Sequence, residues 1–307
     1  MKTALSFPSR GAICAADLYL PDTDFGTPRA GLILGHGFGG TKDGLEGQSQ
    51  YFASAGYAVL TIDYRFFGQS EGEPRGQLFP LEEVEDMRNA ITYLQKRPEV
   101  DPNRIGIWGT SFGGGVVIYV ASVDRRVKVV VSQAPIVNGR TWMKSLRAEG
   151  EWDALLDRLD ADRAGRYETG VSARIPLGGP SLDAAMPTSD SEQLRIERAG
   201  DTPIGRYTRM VAEHSPRLQL TLESIERIIE FMPDQFIHLI GPRPLRIITP
   251  ALRDVVHPLD QIYQAFRRAN EPKDLVLLPV EQYDIYAEGG IETANASALE
   301  WFDRYLQ

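Results

Sequence analysis

The sequence predicts a mostly parallel α/β sheet with helices on both faces and one inserted helical segment. Three observations carry this. Short, β-branched, nearly all-apolar runs recur at Gly31-Leu32-Ile33-Leu34, residues 58–62, residues 104–108, residues 127–131, residues 245–248 and residues 275–278, as expected for strands buried on both faces. Amphipathic segments separate them, such as residues 81–95 with Val84, Met87, Ala90, Ile91 and Leu94 at helical spacing. Such alternation specifies parallel strands joined by helical crossovers. Residues 140–240 then break the rhythm: they hold charged helical patterns, for example 151–166, and a Gly/Pro/Ser-rich piece, 176–190, without a convincing buried strand. The predicted organisation is a core of residues 1–139 and 241–307, with residues 140–240 as a helical cap.

The first stretch, MKTALSFPSRGAICAADLYLP, reads as two short strands around a turn at Ser9-Arg10-Gly11. It lacks the long apolar core of a signal peptide. No stretch approaches the roughly 18 apolar residues of a membrane helix, so a cytoplasmic location is expected. The 307 residues suffice for one large α/β domain or a domain with an insertion. The hydrophobic fraction of 42% and charged fraction of 24% are those of a soluble globular protein. A net charge of −9 with no Lys/Arg run argues against nucleic acid or anionic membranes as partners. A small-molecule substrate is the expected partner, with homo-oligomer formation left open. Cys14 is the single cysteine, which excludes an intrachain disulfide or a Cys-based zinc site; within Ile13-Cys14-Ala15-Ala16 it reads as a core residue. Four scattered histidines without paired carboxylate spacing predict no metal site, and no cofactor is expected.

Chemistry concentrates in two loops that follow strands. Ser111 lies in Gly109-Thr110-Ser111-Phe112-Gly113, after the strand at 105–108 and before an apolar helix at 113–121. That strand–turn–helix setting marks a nucleophile elbow, with the helix N-terminus aimed at a developing anion. Gly35-His36-Gly37-Phe38-Gly39-Gly40 also follows an apolar strand. A His-Gly-x loop there supplies one oxyanion-hole N–H and the residue after the nucleophile the other, here Phe38 and Phe112. His36 is expected to brace its loop.

With these motifs the chain resembles the α/β-hydrolase superfamily along nearly its whole length, and more narrowly the bacterial acetylxylan-esterase and dienelactone-hydrolase-like branch. The narrower likeness rests on Gly35-His36-Gly37-Phe38-Gly39-Gly40-Thr41-Lys42, Asp63-Tyr64-Arg65-Phe66-Phe67-Gly68-Gln69-Ser70, Asp101-Pro102-Asn103-Arg104-Ile105-Gly106, Ile240-Gly241-Pro242-Arg243-Pro244-Leu245 and Pro272-Lys273. The resemblance implies an α/β-hydrolase fold and serine-dependent hydrolysis of carboxylic esters or related acyl bonds. Asp254, after the strand at 245–248, fits the superfamily's acid position.

The base is harder to place. The superfamily's histidine is expected after the last strand, where this chain reads Pro279-Val280-Glu281-Gln282-Tyr283-Asp284-Ile285-Tyr286. Relatives commonly carry a His-Tyr-Asp-x-Tyr-like stretch there, which aligns the expected base with Gln282. An amide cannot take and return a proton at neutral pH. Three readings follow: a His-to-Gln change made in an otherwise intact hydrolase; another base, such as His257, Glu281 or Asp284; or a protein that binds a ligand or runs lyase or cyclase chemistry without a triad base. The intact surroundings favour the first and third. His257 reads as a loop histidine ahead of Pro258. His214 and His238 read as structural or surface residues of the cap. Trp142, Trp152 and Met186 are candidates for pocket walls, with cap packing the more ordinary role.

Overall fold

The computed structural model describes residues 1–22, 26–179, 184–187, 218–287 and 289–306. A hairpin opens the chain: β1 (Lys2–Ser9) pairs antiparallel with β2 (Ala12–Tyr19). Both turn residues, Arg10 and Gly11, take positive φ, which matches the twist of a two-residue hairpin. The chain continues through β3 (Arg29–Gly35), α1 (Glu46–Ser54), β4 (Ala58–Ile62), α2 (Pro80–Gln95), β5 (Val100–Thr110), α3 (Phe112–Val123) and β6 (Val127–Gln133). Pro80 sits in the first turn of α2, where its missing N–H has no partner to lose.

The segment after β6 contains α4 (Gly139–Ser145), α5 (Glu149–Thr169), the short strands β7 (Arg174–Pro176), β8 (Gly178–Gly179), β9 (Met186–Pro187) and β10 (Gln219–Thr221), and α6 (Leu222–Glu230). β7 pairs with β10 and β8 with β9. Among the described residues no strand of 140–240 joins the main sheet. The core resumes with β11 (Leu245–Pro250), α7 (Leu259–Arg268), β12 (Lys273–Leu278) and α8 (Gly290–Leu306).

The main sheet has eight strands in the order β1-β2-β4-β3-β5-β6-β11-β12. β1, β2 and β4 pair antiparallel, and from β4 to β12 every pairing is parallel. β4 and β11 are buried at every position, which explains their nearly all-apolar reading; the buried exceptions are Thr61, Arg246 and Thr249. The period of two sorts side chains between the faces. Ile33 joins Met87, Ile91, Val116 and Val117 of α2 and α3, whereas Leu32 and Leu34 join Phe52 of α1 and Trp301 and Phe302 of α8. Trp142, Leu155, Ile175, Leu220 and Ile228 belong to the same cluster as α2 and α3, so the inserted segment is packed onto that face. Its Trp142 reaches Phe38 after β3, Phe112 after β5 and Val256 after β11, at the carboxyl ends where open α/β sheets place their ligands.

Candidate active site

Ser111 links β5 to α3 with φ 54° and ψ −121°. A side-chain-bearing residue is strained there and persists only where its neighbours fix it. Its amide donates to the Gln133 carbonyl at 2.9 Å, and its carbonyl accepts from the Gly114 and Ile136 amides at 2.9 and 3.0 Å. The turn closes only because two positions lack side chains. A Cβ at Gly109 would strike the Gly113 carbonyl, and a Cβ at Gly113 would strike the His36 carbonyl. The His36 loop thus lies directly on the start of α3, close enough that a Cβ at Gly37 would be 3.1 Å from the Ser111 Cβ. Among the described residues neither the Phe38 nor the Phe112 amide donates a hydrogen bond. Two N–H groups are thereby left available beside Ser111.

The imidazole at Ser111 is that of His257. Its Nε2 lies 3.0 Å from Ser111 Oγ, and its Nδ1 lies 2.8 Å from Asp254 Oδ2. Both side chains of this pair are only 2% exposed. Asp254 Oδ1 accepts from the Val256 and His257 amides at 2.9 and 2.8 Å. Burial pushes the Asp254 carboxyl up, but the adjacent imidazole and these amides outweigh it and hold it below the usual aspartate range. A carboxylate at Nδ1 fixes a tautomer whose Nε2 lone pair faces the hydroxyl. Ser111, Asp254 and His257 follow the Ser–Asp–His chain order, with Asp254 and His257 three residues apart in one loop.

Gln282, placed by sequence at the base position, occupies another one. The structure puts the His257 imidazole at Ser111, and this corrects the assignment. Gln282 is 2% exposed. Its Oε1 accepts the Val255 amide at 2.9 Å and its backbone N–H donates to the Arg253 carbonyl at 3.1 Å. These bonds grip the chain on either side of Asp254. They extend a ladder begun by Ala251 to Leu278 and Leu252 to Val280. Sequence reasoning reserved the last-strand loop for the base, but a β11 loop anchored to β12 can present both groups. The legible signal was Asp254-Val255-Val256-His257-Pro258: an Asp whose oxygen can cap the next amides, then a His placed just before α7.

The remaining residues sort by contact. His36 Nδ1 approaches the Gly37 carbonyl at 3.0 Å, its ring stands edge-on to Tyr64 at 4.6 Å, and burial pushes its pKa down; it is a neutral brace of its loop. His238 is exposed, and its carbonyl accepts from Asn270. His214 lies outside the described residues. Asp284 accepts the Glu281 amide at 3.1 Å and so closes the turn after β12. Trp142 is buried, 5.3 Å from the Phe38 ring and 6.2 Å from the Phe112 ring, and donates its indole N–H to the Val256 carbonyl at 2.8 Å. It joins the inserted segment to the Asp254–His257 loop, a contact the sequence did not reveal. Trp152 is buried beneath the Arg140 guanidinium, and Met186 is half-buried against the core. Leu177 and Leu218 cover Gly39, where a Cβ would collide with them. Tyr286, also unanticipated, accepts a hydrogen bond from Thr110 at 2.9 Å. Among the described residues no cluster of three or more His, Cys, Asp or Glu side chains could hold a metal ion, and no helix is long and apolar enough to cross a membrane.

Comparison with known proteins agrees with this architecture. The family model for X-Pro dipeptidyl-peptidases, the S15 family, matches residues 11–170, which include the His36 loop and the Ser111 turn. The chain belongs to the S15 family. It is 43% identical over 183 residues to the quorum-quenching protein AidA of Acinetobacter baumannii (strain MDR-ZJ06), and the match spans 59% of each chain. It is 30% identical over 259 residues to the polyketide transferase claH of Penicillium crustosum, across 83% of this chain and 81% of that one. The crystal structure of the alpha/beta hydrolase GrgF from Penicillium sp. sh18 superposes with a TM-score of 0.81 at 22% identity, covering 100% of this chain and 99% of that one. The fold is therefore that of the α/β hydrolases, the superfamily expected from the motifs.

Proposed function

We propose that this S15-family chain is a serine hydrolase that cleaves a carboxylic ester or related acyl bond through an acyl-enzyme. The observation that carries the reading is the unbroken array Ser111–His257–Asp254, with 3.0 and 2.8 Å steps. His257 Nε2 takes the Ser111 proton as Oγ attacks the carbonyl carbon. Asp254 stabilises the imidazolium that forms. The oxyanion is held by the Phe38 and Phe112 amides, each such donor contributing ~3 kcal/mol to the transition state. His257 then protonates the leaving group, and water attacks the acyl-enzyme with the same base assisting. The inserted segment acts as a cap: Trp142, Leu177 and Leu218 give the site apolar walls, which favours an apolar acyl group. The 3.0 Å Ser111–His257 contact supports this reading over a ligand-binding protein without a base.

The relative named as a polyketide transferase favours a second outcome of the same acyl-enzyme, transfer to an acceptor other than water. The test is turnover on a panel of short-chain aryl esters and thioesters, with product analysis. Ser111→Ala and His257→Ala should each lower kcat by ~10⁴ to 10⁶. Turnover that survives both changes would overturn the reading.

A further inference from the structure

A cavity of about 630 Å³ opens between the start of α2, the middle of α3 and the end of α6. Its walls include Phe79, Leu81, Tyr119, Phe231, Met232 and Phe236; Ser111, Asp254 and His257 are not among its lining residues. The size lies within the range of small-molecule sites, which are apolar with a few orienting polar groups. The rings form a continuous face: Tyr119 lies 5.5 Å from Phe231 and 5.2 Å from Phe236.

The polar lining narrows the ligand. Its charged groups are already engaged: Arg227 with Glu223 and Glu230 at 3.1 and 3.4 Å, and Glu82 with Arg65. Two carboxylates against one guanidinium disfavour an anion, and a cation would have to displace Arg227 from its pairs. Two neutral groups remain open. Among the described residues the Tyr119 hydroxyl has no hydrogen-bond partner, and Gln235 spends its amide N–H on Asp234 while its Oε1 accepts nothing. A hydroxyl that can donate or accept and an amide oxygen that accepts match a neutral polar substituent on a flat ring.

We infer that this cavity is a small-molecule site, separate from Ser111, for a neutral one- or two-ring aromatic compound bearing a hydroxyl group. The Phe231 wall packs on the Phe112 ring at 5.8 Å, so a bound molecule lies one ring behind the residue that follows Ser111. The test is a fluorescence titration of the full chain with β-naphthol, with β-naphthoate as the anionic control. Saturable one-to-one binding of β-naphthol is expected, with β-naphthoate at least about tenfold weaker. Tyr119→Phe should weaken β-naphthol about fivefold through one lost hydrogen bond, and Phe236→Ala about tenfold through lost ring contact. Phe38→Ala, on the Ser111 side, should leave the affinity unchanged. Thermal unfolding of each variant checks that the fold is kept. No saturable binding, or binding weakened by Phe38→Ala and unmoved by Tyr119→Phe and Phe236→Ala, would overturn the assignment.

Discussion

Changing Gln282 separates its observed place from the place a base would hold. Gln282→Ala deletes the acceptor for the Val255 amide, a 2.9 Å bond beside Asp254. One lost hydrogen bond costs ~1 kcal/mol, and truncating a buried side chain adds ~1 to 2 kcal/mol. Part of that returns, because Gln282 Nε2 is buried without a partner among the described residues. The net expectation is ~1 to 2 kcal/mol of lost stability. Turnover should fall ~10- to 100-fold, since a small misplacement of an orienting group has that effect. Gln282→His should not exceed the parent, because His257 already stands at Ser111 and the bulkier ring must shift to bring its single acceptor nitrogen to the Val255 amide. His257→Ala should cost ~10⁴ to 10⁶. The assay is kcat and KM on a short-chain aryl ester for the parent and the three variants, with chemical denaturation alongside. If Gln282→His raises turnover above the parent, or His257→Ala stays within tenfold of it, the assignment of the base is wrong.

Further outcomes follow from the same geometry. An organophosphonate should label the parent rapidly at Ser111, and mass spectrometry should find no adduct in Ser111→Ala. Asp254 is held below its usual value, so its contribution to stability is present above the unfolded pKa, about 3.9, and is lost as pH falls through the folded one; Asp254→Asn should flatten the acid limb of the melting-temperature profile. Burial, with the nearby Asp86 charge, pushes the Glu83 carboxyl well above its usual value. The unfolded chain then releases that proton first, so stability from this site declines as pH rises beyond about 4.3. Melting of Glu83→Gln should therefore gain on the parent progressively from pH 4.5 to 8, and a constant offset would show that Glu83 does not titrate this way.

Most of the sheet was legible because its strands are buried on both faces, so residues such as Ala58-Val59-Leu60-Thr61-Ile62 leave few alternatives. The Ser111 turn was legible because its glycines answer a steric demand that appears in the sequence itself: no side chain fits between Gly113 and the His36 carbonyl. The placement of the imidazole at Ser111 was not legible in the same way. It depends on how β12 and its loop hold the β11 loop, and that is a tertiary matter. Gln282 could be read as a gap because its role, an acceptor for the Val255 amide, leaves no local pattern. Trp142 shows the same limit, since its bond to the Val256 carbonyl joins segments 114 positions apart.

The Asp254–His257 loop also divides the work of one carboxylate. Oδ1 accepts the amides of Val256 and His257 and shapes the loop, while Oδ2 faces the imidazole. Asp254 therefore builds the turn that carries its own partner, and backbone geometry limits how far the carboxylate and the imidazole can separate. What remains free is the approach of the whole loop to Ser111, on a different element. That approach is set from outside, by Gln282 and the Val280–Leu252 ladder on one side and by the Trp142 indole on the other. Perturbing the outer contacts should thus weaken the Ser111–His257 step while leaving the His257–Asp254 step intact. Perturbing Asp254 should weaken both. The two classes of variant are distinguishable: the first lowers turnover while Asp254 keeps its partners, so the acid limb of its melting profile should follow the parent's, whereas the second should flatten that limb together with the loss of rate.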